Sequence, residues 1–256
     1  MRASQIEQQT AHRPWPLPRG PWIMYQAWKH LLFAHWPVPI ESLRGRLPSS
    51  LTLDLFEGQA FIGVVPFVMT GVHARGLPPL PGLAEFPELN VRTYVRLRER
   101  PGVFFFSLDA DNAPAVFTAR TFYRLPYHHA EMNVERQGEW IHYSSRRRQG
   151  SAGFAGRYRP LGEVFEPRPG TLEHFLTERY TLYTVLRDGR PLRADIHHPR
   201  WRLRAAELEI RQNTVAEPSG FALPDRPPLL HYSELQETLV WAPQLEPERG
   251  AGRVDP

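Results

Sequence analysis

Arginine supplies nearly all of the positive charge in this sequence. The chain has 31 basic residues, and Lys29 is the sole lysine among them. A guanidinium group stays protonated and forms no imine with a carbonyl compound, whereas the amine of a lysine does. Any imine chemistry would therefore depend on Lys29, while the arginines are suited to holding carboxylates through paired hydrogen bonds.

One arginine lies in a segment whose residue types alternate as a β-strand requires. The polar face would carry Asn90, Arg92, Tyr94 and Arg96, and the other face Val91, Thr93 and Val95. If the polar face points into a barrel, Arg92 is an internal cation, which is costly when unpaired. It would then need a carboxylate partner or an anionic ligand, whereas on a solvent-exposed face it would need neither.

Other polar residues could complete a site around Arg92. Arg120 raises the same question in its own predicted strand, and Glu178 and His197 could act as polar partners. The residues predicted to bind a ligand are Arg92, Tyr94, Arg120, Glu88, Glu178 and His197. For each of them taken singly, a surface or structural role is the alternative interpretation.

Several catalytic classes are excluded by missing motifs. The sequence has no Gly-rich phosphate loop, no GxSxG nucleophile elbow and no HExxH zinc helix. The histidine pairs 128–129 and 197–198 are adjacent, and neighbours on a strand point to opposite faces, so neither pair chelates one metal by itself. A metal site assembled from separate strands stays open, but the sequence predicts no metal and no cofactor.

Composition and charge narrow the range of partners. The net charge is only +4, and the run from Arg146 to Arg148 is typical of a solvated hairpin tip, so we expect no nucleic-acid partner. The start of the chain lacks the apolar stretch of a secretion signal, and the most apolar run, Ala60 to Val68, is too short to cross a bilayer. We therefore expect a cytoplasmic protein without a membrane partner. The absence of cysteine excludes disulfides and thiolate sites.

The periodicity of apolar residues predicts a mainly β protein. Helices are predicted from Tyr25 to Trp36, between Pro39 and Pro48, and from a Thr171 cap to Tyr180. A hairpin would join 51–55 to 60–68. Further strands are predicted at 89–98, 103–109, 115–124, 130–137, 140–146, 154–161, 183–187, 192–198 and 201–212. Strands at this spacing, with short turns, indicate an antiparallel sandwich or barrel.

The domain organisation is simple, because the chain shows no internal repeat and no break in composition. Residues 1–21 are predicted to form a proline-rich arm, 22–243 a single β-barrel domain and 244–256 a flexible tail. The proline-rich loop 76–87 is predicted to fold over the mouth of the barrel.

Seven strings, spread from about Trp28 to Trp241, carry a family resemblance. They are FIGVVPF (61–67), RGLPPLPGLAEFP (75–87), ELNVRTYV (88–95), GVFFFSLD (102–109), LPY (125–127), FLTERYTLY (175–183) and LHYS (230–233). Together they closely resemble the bacterial YqjF-like family, an uncharacterised family related to acetoacetate decarboxylase. The resemblance implies an antiparallel β-barrel or cone of the acetoacetate decarboxylase-like type around an internal pocket, with a few short peripheral helices.

The resemblance also bears on catalysis. Acetoacetate decarboxylase carries its imine-forming lysine in a Gly-x-Pro-Lys-Lys segment, and the similar segment here reads Arg-Leu-Pro-Tyr-His at 124–128. Tyr127 and His128 thus stand where the two lysines would be, which implies that imine-forming decarboxylation is lost. These two residues are the catalytic candidates, although strand alternation argues that they do not both face the pocket.

Two functions remain open at this point. The first is a binding pocket, or an enzyme without an imine, for an anionic or carbonyl small molecule whose carboxylate Arg92 and Arg120 would hold. It predicts a polar-lined void near these arginines and Tyr127. The second is a structural or interaction protein that binds a partner, with self-association into a homo-oligomer left open. It predicts a lumen filled by Phe104, Phe105, Phe106, Phe117 and Phe122.

Overall fold

We describe the fold from a computed structural model, which covers residues 2–246 apart from 83 and 187, with the backbone alone at 119 and 122. The strands are β1 Met24–Val38, β2 Thr52–Leu53, β3 Ala60–Ala74, β4 Phe86–Leu97, β5 Arg100–Ala110, β6 Tyr127–Gln137, β7 Trp140–Arg147, β8 Gly153–Phe165, β9 Thr181–Val185, β10 Pro191–His197, β11 Leu203–Asn213, β12 Leu229–Val240 and β13 Gln244–Leu245. The α-helices are α1 Ala3–Gln8, α2 Ile40–Arg44, α3 Ala113–Thr118 and α4 Leu172–Thr177. A π-helical turn, Ala119–Tyr123, follows α3, and a 3₁₀ turn spans Glu217–Ser219.

The strands form one sheet that closes on itself. Its order is β13-β10-β9-β5-β6-β7-β8-β11-β12-β1-β3-β4-β2, and β4 also pairs with β5. This last pairing joins the strands from β5 round to β4 into a ring. Apart from the parallel pairings of β5 with β6 and β9, the paired strands of the described chain run antiparallel. The predicted mainly β fold of the barrel or cone type is confirmed, and closure pairs strand edges that an open sheet would expose.

The segment 25–36, predicted as a helix, is instead part of the strand β1. Its side chains are buried on both faces, with Leu32 and Trp36 in one core cluster and Leu31 and Phe33 in another. A strand buried on both sides carries consecutive apolar residues, and such a run imitates the spacing of an amphipathic helix. The helix prediction is therefore wrong because this strand has no solvent-exposed face over most of its length.

The segment 115–124, predicted as a strand, is helical. It forms the end of α3 and the π-helical turn. Asn112 stabilises the start of the helix, because its side-chain oxygen accepts a hydrogen bond from the backbone N–H of Ala115 at 3.0 Å. The turn ends at Arg124, whose φ of 53° lies in the left-handed region. The strand prediction is therefore wrong because Asn112 begins a helix here.

Most of the other elements lie where the sequence predicts them. Helices α2 and α4 are confirmed, and the Thr171 hydroxyl caps α4 by accepting the His174 N–H, although the helix ends at Thr177.

The predicted hairpin partner is wrong, because β2 pairs with β4 and not with β3. Strand β12, which was not predicted, lies between β1 and β11. Strand β9 is found, with residue 187 of its predicted span outside the described residues.

Both ends of the described chain pack against β10. In the arm, Ile6 is buried and the Arg13 guanidinium donates to the backbone oxygen of Ile196 at 2.8 Å. At the other end, β13 pairs with β10, so residues 244–245 belong to the sheet and not to the predicted tail. Residues 247–256 of that tail lie outside the described residues.

Candidate functional site

A cavity of about 850 Å³ lies among β1, β3, β4, β5, β6, β9 and β10. Its apolar wall includes Trp28, Leu31, Val65, Phe67, Phe105 and Trp201. Leu77, Pro78 and Leu80 of the proline-rich loop also line it, so this loop contributes to the cavity. A mostly apolar chamber with a few polar groups is the usual form of a small-molecule site.

Strand β4 supplies a row of polar side chains to this cavity. Glu88, Asn90 and Arg92 all line it, because alternate residues of a strand share a face. The side-chain oxygen of Asn90 is buried and has no hydrogen-bond partner among the described residues. A buried polar group without a protein partner is unusual and is available to a ligand.

Arg92 is a cation without a carboxylate partner among the described residues. Its Nη2 atom contacts the Tyr94 hydroxyl oxygen at 3.4 Å and the Leu176 backbone oxygen at 3.3 Å, and its Nε atom has no partner among those residues. The guanidinium carbon lies 5.1 Å from the centre of the Phe33 ring. Neutral groups of the protein thus surround the charged Arg92 side chain, and part of its hydrogen-bonding capacity is unused.

Tyr94 and His35 support Arg92 from outside the cavity lining. The Tyr94 hydroxyl donates to the Leu176 backbone oxygen at 2.7 Å and lies 2.6 Å from the Nε2 atom of His35. Burial and the charge of Arg92 hold the pKa of His35 well below its ordinary value, so this histidine is neutral. Tyr94, predicted to bind a ligand, therefore lies where it positions the arginine.

Glu88 and Tyr127 form a second polar feature of the cavity. The Tyr127 hydroxyl donates to the Oε2 atom of Glu88 at 2.8 Å, and both residues line the cavity. Burial raises the pKa of Glu88 to about 8, the charge of Asp109 adds to the rise, and the Tyr127 hydrogen bond opposes it. Burial also raises the pKa of Tyr127 well above its ordinary value, so its hydroxyl stays protonated.

His128 is not among the cavity-lining residues. It follows Tyr127 on β6, and strand alternation turns neighbouring side chains to opposite faces. Burial, followed by the charges of Arg147 and Arg120, lowers the pKa of His128 to about 4. The structure thus brings one of the two catalytic candidates into the cavity and leaves the other outside its lining.

Three other predicted ligand-binding residues also lie outside the cavity lining. Arg120 is exposed on the π-helical turn, where its Nε atom donates to the backbone oxygen of Tyr127 at 2.6 Å. Glu178 accepts the backbone N–H of Trp201 at 3.1 Å. His197 donates from Nε2 to the Ile6 backbone oxygen at 2.8 Å, so it anchors the amino-terminal arm. The prediction that Arg120 shares the pocket with Arg92 fails because its segment is helical.

A second arginine lines the cavity but is already paired. The Nη1 atom of Arg179 donates to the Oδ2 atom of Asp54 at 2.5 Å, and its Nε atom donates to the Phe175 backbone oxygen at 2.6 Å. Burial lowers the pKa of Arg179, and the charge of Asp54 opposes this. Because a protein carboxylate satisfies Arg179, Arg92 is the better candidate for holding an anion.

The aromatic residues proposed to fill the lumen do not do so. Of those whose side chains are described, Phe105 lines the cavity, Phe104 and Phe106 contact each other outside its lining, and Phe117 is 70% exposed. The side chain of Phe122 lies outside the described residues. An open cavity therefore takes the place of the filled lumen that the structural hypothesis predicted.

Two tryptophans of the wall were missed as site residues. Trp28 and Trp201 stack at 5.8 Å between ring centres, and both line the cavity. The apolar periodicity predicts a helix around Trp28, and only the strand conformation of β1 brings this residue to the wall. Lys29, the next residue, is exposed and does not line the cavity.

Metal clusters and membrane-spanning helices are two further kinds of feature that bear on function. Within the described residues, no three His, Asp or Glu side chains are grouped so that they could hold a metal ion. The helices of that same part of the chain are all too short or too polar to span a bilayer.

Comparison with solved structures relates the fold to two enzymes. The enduracididine biosynthesis enzyme MppR complexed with pyruvate superposes with a TM-score of 0.64 at 11% identity, over 91% of this chain and 93% of that one. Acetoacetate decarboxylase from Legionella pneumophila gives 0.58 at 15% identity, over 96% of both chains. At these identities the likeness establishes the acetoacetate decarboxylase-like fold alone.

Comparison of sequences gives the family. The protein YqjF of Bacillus subtilis (strain 168), described as uncharacterized, is 48% identical over 226 residues, which cover 88% of this chain and 93% of that protein. The model of the DUF2071 family, described as an uncharacterized conserved protein, matches residues 25–237. The resemblance inferred from the sequence is confirmed, and the chain belongs to the DUF2071 family.

Proposed function

We propose that the protein binds a small organic carboxylate in its internal cavity, without forming a covalent bond to it. The observation that carries this proposal is Arg92, a cavity-lining cation whose contacts within the described chain are all to neutral groups. An internal guanidinium without a counter-ion is costly, and a carboxylate ligand offsets that cost through charge-assisted hydrogen bonds.

The remainder of the cavity supports an organic ligand over a bare anion. Its wall is mostly aliphatic and aromatic, and its volume of about 850 Å³ lies in the usual range for small-molecule sites. An inorganic anion would use the arginine but would leave the apolar wall in contact with water. One structural neighbour, MppR, is complexed with pyruvate, which makes pyruvate a reasonable first probe.

Imine chemistry is not part of the proposal. The sole lysine of the sequence, Lys29, is exposed and outside the cavity lining, and Tyr127 occupies the wall instead. A phenol does not condense with a carbonyl to form an imine, so a ligand here is held by hydrogen bonds and packing.

The test is a thermal-shift and calorimetric titration with pyruvate and with longer aliphatic and aromatic carboxylates. We expect the calorimetric isotherm to saturate and the stabilisation to rise with the logarithm of the ligand concentration, reaching about 2.7 kcal/mol at a hundredfold excess over Kd. Arg92→Met should weaken binding about 10- to 100-fold, as the loss of a charge-assisted hydrogen bond does.

Arg44→Met is the matched control, because it removes the same charge from an exposed position outside the cavity lining. Its affinity should equal that of the unmodified protein. An absence of stabilisation across the whole panel, or an equal loss in both variants, would refute the proposal.

A further inference from the structure

Glu88 differs from the neighbouring internal carboxylate of the sheet. Asp109 on β5 accepts a hydrogen bond from the Arg147 Nε atom at 2.6 Å, so a cation compensates it. Glu88 has the neutral hydroxyl of Tyr127 as its side-chain partner, and no arginine or lysine of the described chain forms an ion pair with it. A carboxyl group held in this way favours its protonated form and is a strong base once ionised.

The position of Glu88 is fixed by the surrounding sheet. The Tyr143 hydroxyl donates to the backbone oxygen of Glu88 at 2.7 Å, and Tyr143 is itself buried. The Glu88 side chain lines the cavity, and no donor of the described chain contacts its second oxygen, Oε1. A proton can therefore pass between that oxygen and a ligand in the cavity.

The hydroxyl of Tyr127 complements this carboxyl group. It is a protonated donor within hydrogen-bond distance of Glu88, on the same cavity wall. A base and a hydroxyl donor placed side by side are the two groups that proton removal next to a carbonyl requires: one takes the proton, and the other stabilises the oxygen on which charge develops.

We propose that Glu88 and Tyr127 catalyse keto–enol proton exchange in an oxo carboxylate whose carboxylate is bound by Arg92. This inference rests on the proposed binding function and adds a reaction to it. The Glu88 carboxylate takes a proton from the carbon next to the carbonyl, so a C–H bond breaks and an O–H bond forms on Glu88. The electron pair of the C–H bond forms the C=C bond, and the carbonyl π pair moves to the oxygen. The Tyr127 hydroxyl turns from Glu88 and donates its hydrogen bond to this oxygen. The proton on Glu88 exchanges with solvent water, and a solvent-derived proton then passes from Glu88 to the carbon and completes the cycle.

The spacing along β4 indicates the length of the substrate. Glu88 and Arg92 are four residues apart, which sets their backbones about 13 Å from each other at 3.3 Å per residue. The Arg92 guanidinium contacts Tyr94, which lies two residues further from Glu88 along the strand, so it does not reach toward Glu88. We expect oxo acids with several carbons between carboxylate and carbonyl, such as 5-oxohexanoate, to react faster than pyruvate.

The experiment measures the exchange of carbon-bound hydrogen for deuterium in D₂O by NMR, with 5-oxohexanoate and pyruvate as probes. Glu88→Gln should lower the catalysed rate about 10²-fold or more, the usual contribution of a catalytic base, while the Kd changes little. Tyr127→Phe should lower it about tenfold, as the loss of one neutral hydrogen bond does. In the unmodified protein the rate should rise with pH and level off above about 8, because the pKa of Glu88 is raised to about 8 and the ionised form is the base.

The matched control is Tyr25→Phe. Tyr25 also donates its hydroxyl to a glutamate, Glu237, at 2.8 Å, but neither residue of that pair lines the cavity. Its exchange rate should match that of the unmodified protein. Binding without exchange above the buffer rate overturns this inference and leaves the binding proposal standing, whereas no binding of any probe overturns the binding proposal itself. Faster exchange into pyruvate than into 5-oxohexanoate overturns the assigned length.

Discussion

The cavity brings two polar regions together, and their charges are balanced in different ways. In the Asp54 cluster, formed by Asp54, Arg96 and Arg179, the buried carboxylate accepts hydrogen bonds from both arginines, at 2.6 Å and 2.5 Å. In the β4 face, formed by Glu88, Asn90 and Arg92, the described residues provide no ion pair. The two regions are adjacent, because the guanidinium carbons of Arg92 and Arg179 lie 5.7 Å and 4.9 Å from the centre of the same Tyr94 ring.

The difference shows how to separate structural charges from functional ones in this fold. A paired internal charge holds elements together, and Asp54 links the segment before β3 to Arg179, which follows α4. Arg92 has no carboxylate partner among the described residues, and under the proposed function a ligand supplies one. Three variants test whether the two regions differ in this way.

The largest effect is expected in the Asp54 cluster. Asp54→Asn keeps the shape of the side chain but leaves Arg179 buried beside a neutral group, and breaking a buried pair in this way costs about 3–5 kcal/mol. The free energy of unfolding, measured by urea titration, should fall by that amount. Glu41→Gln, in an exposed pair with Arg44, is the control and should cost less than about 1 kcal/mol. Equal losses in both variants would contradict the structural role of the cluster.

An effect of nearly the same size is expected from Glu88 as the pH changes. Its folded-state pKa of about 8 lies above the ordinary value of 4.5, so its stabilising contribution is complete below pH 4.5 and is lost as the pH rises to about 8. The loss approaches about 1.4 kcal/mol per pH unit between these limits. Unfolding curves recorded from pH 5 to 8 should show this slope in the unmodified protein and a flatter dependence in Glu88→Gln. The same slope in both proteins would mean that Glu88 is ionised throughout.

The smallest effect on stability is expected at Arg92. Arg92→Met removes a charge for which no counter-ion lies among the described residues and keeps an apolar side chain of similar length, so the unfolding free energy should change by less than about 1 kcal/mol or increase. The measurement is urea unfolding without ligand, alongside Arg179→Met, which should lose several times as much because it removes one of the two arginine partners of the buried Asp54. An equal loss of unfolding free energy in the two variants would mean that Arg92, like Arg179, has a structural role.

The sequence was sufficient to predict the polar face of β4. Alternation assigned Asn90 and Arg92 to one side of a strand, and a strand three residues longer at its start brings Glu88 to the same side. The mainly β class followed from strand spacing, and the family motifs supplied the closed barrel or cone. These inferences succeed because local periodicity is visible wherever the two faces of a strand meet different surroundings.

The errors have a common physical origin. Strand β1 is buried on both faces, so its run of apolar residues imitates a helix. The segment around Arg120 has the residue alternation of a strand but is helical. The pairing of Arg179 with Asp54 links residues 125 positions apart, and no local pattern announces such a contact. The structure places Arg92 and Glu88 in the cavity wall and Arg120, Glu178 and His197 outside it, and no local pattern distinguishes these two groups.

The amino-terminal arm has a practical consequence for experiments on this protein. The ring of His12 donates to the backbone oxygen of His198 at 2.8 Å, and the side chain of His198 lines the cavity. One residue therefore separates the arm from the cavity, and a purification tag or fusion partner at the amino terminus that displaces the arm would disturb the cavity wall. Affinity measurements are best made with any such tag cleaved or moved to the opposite end of the chain.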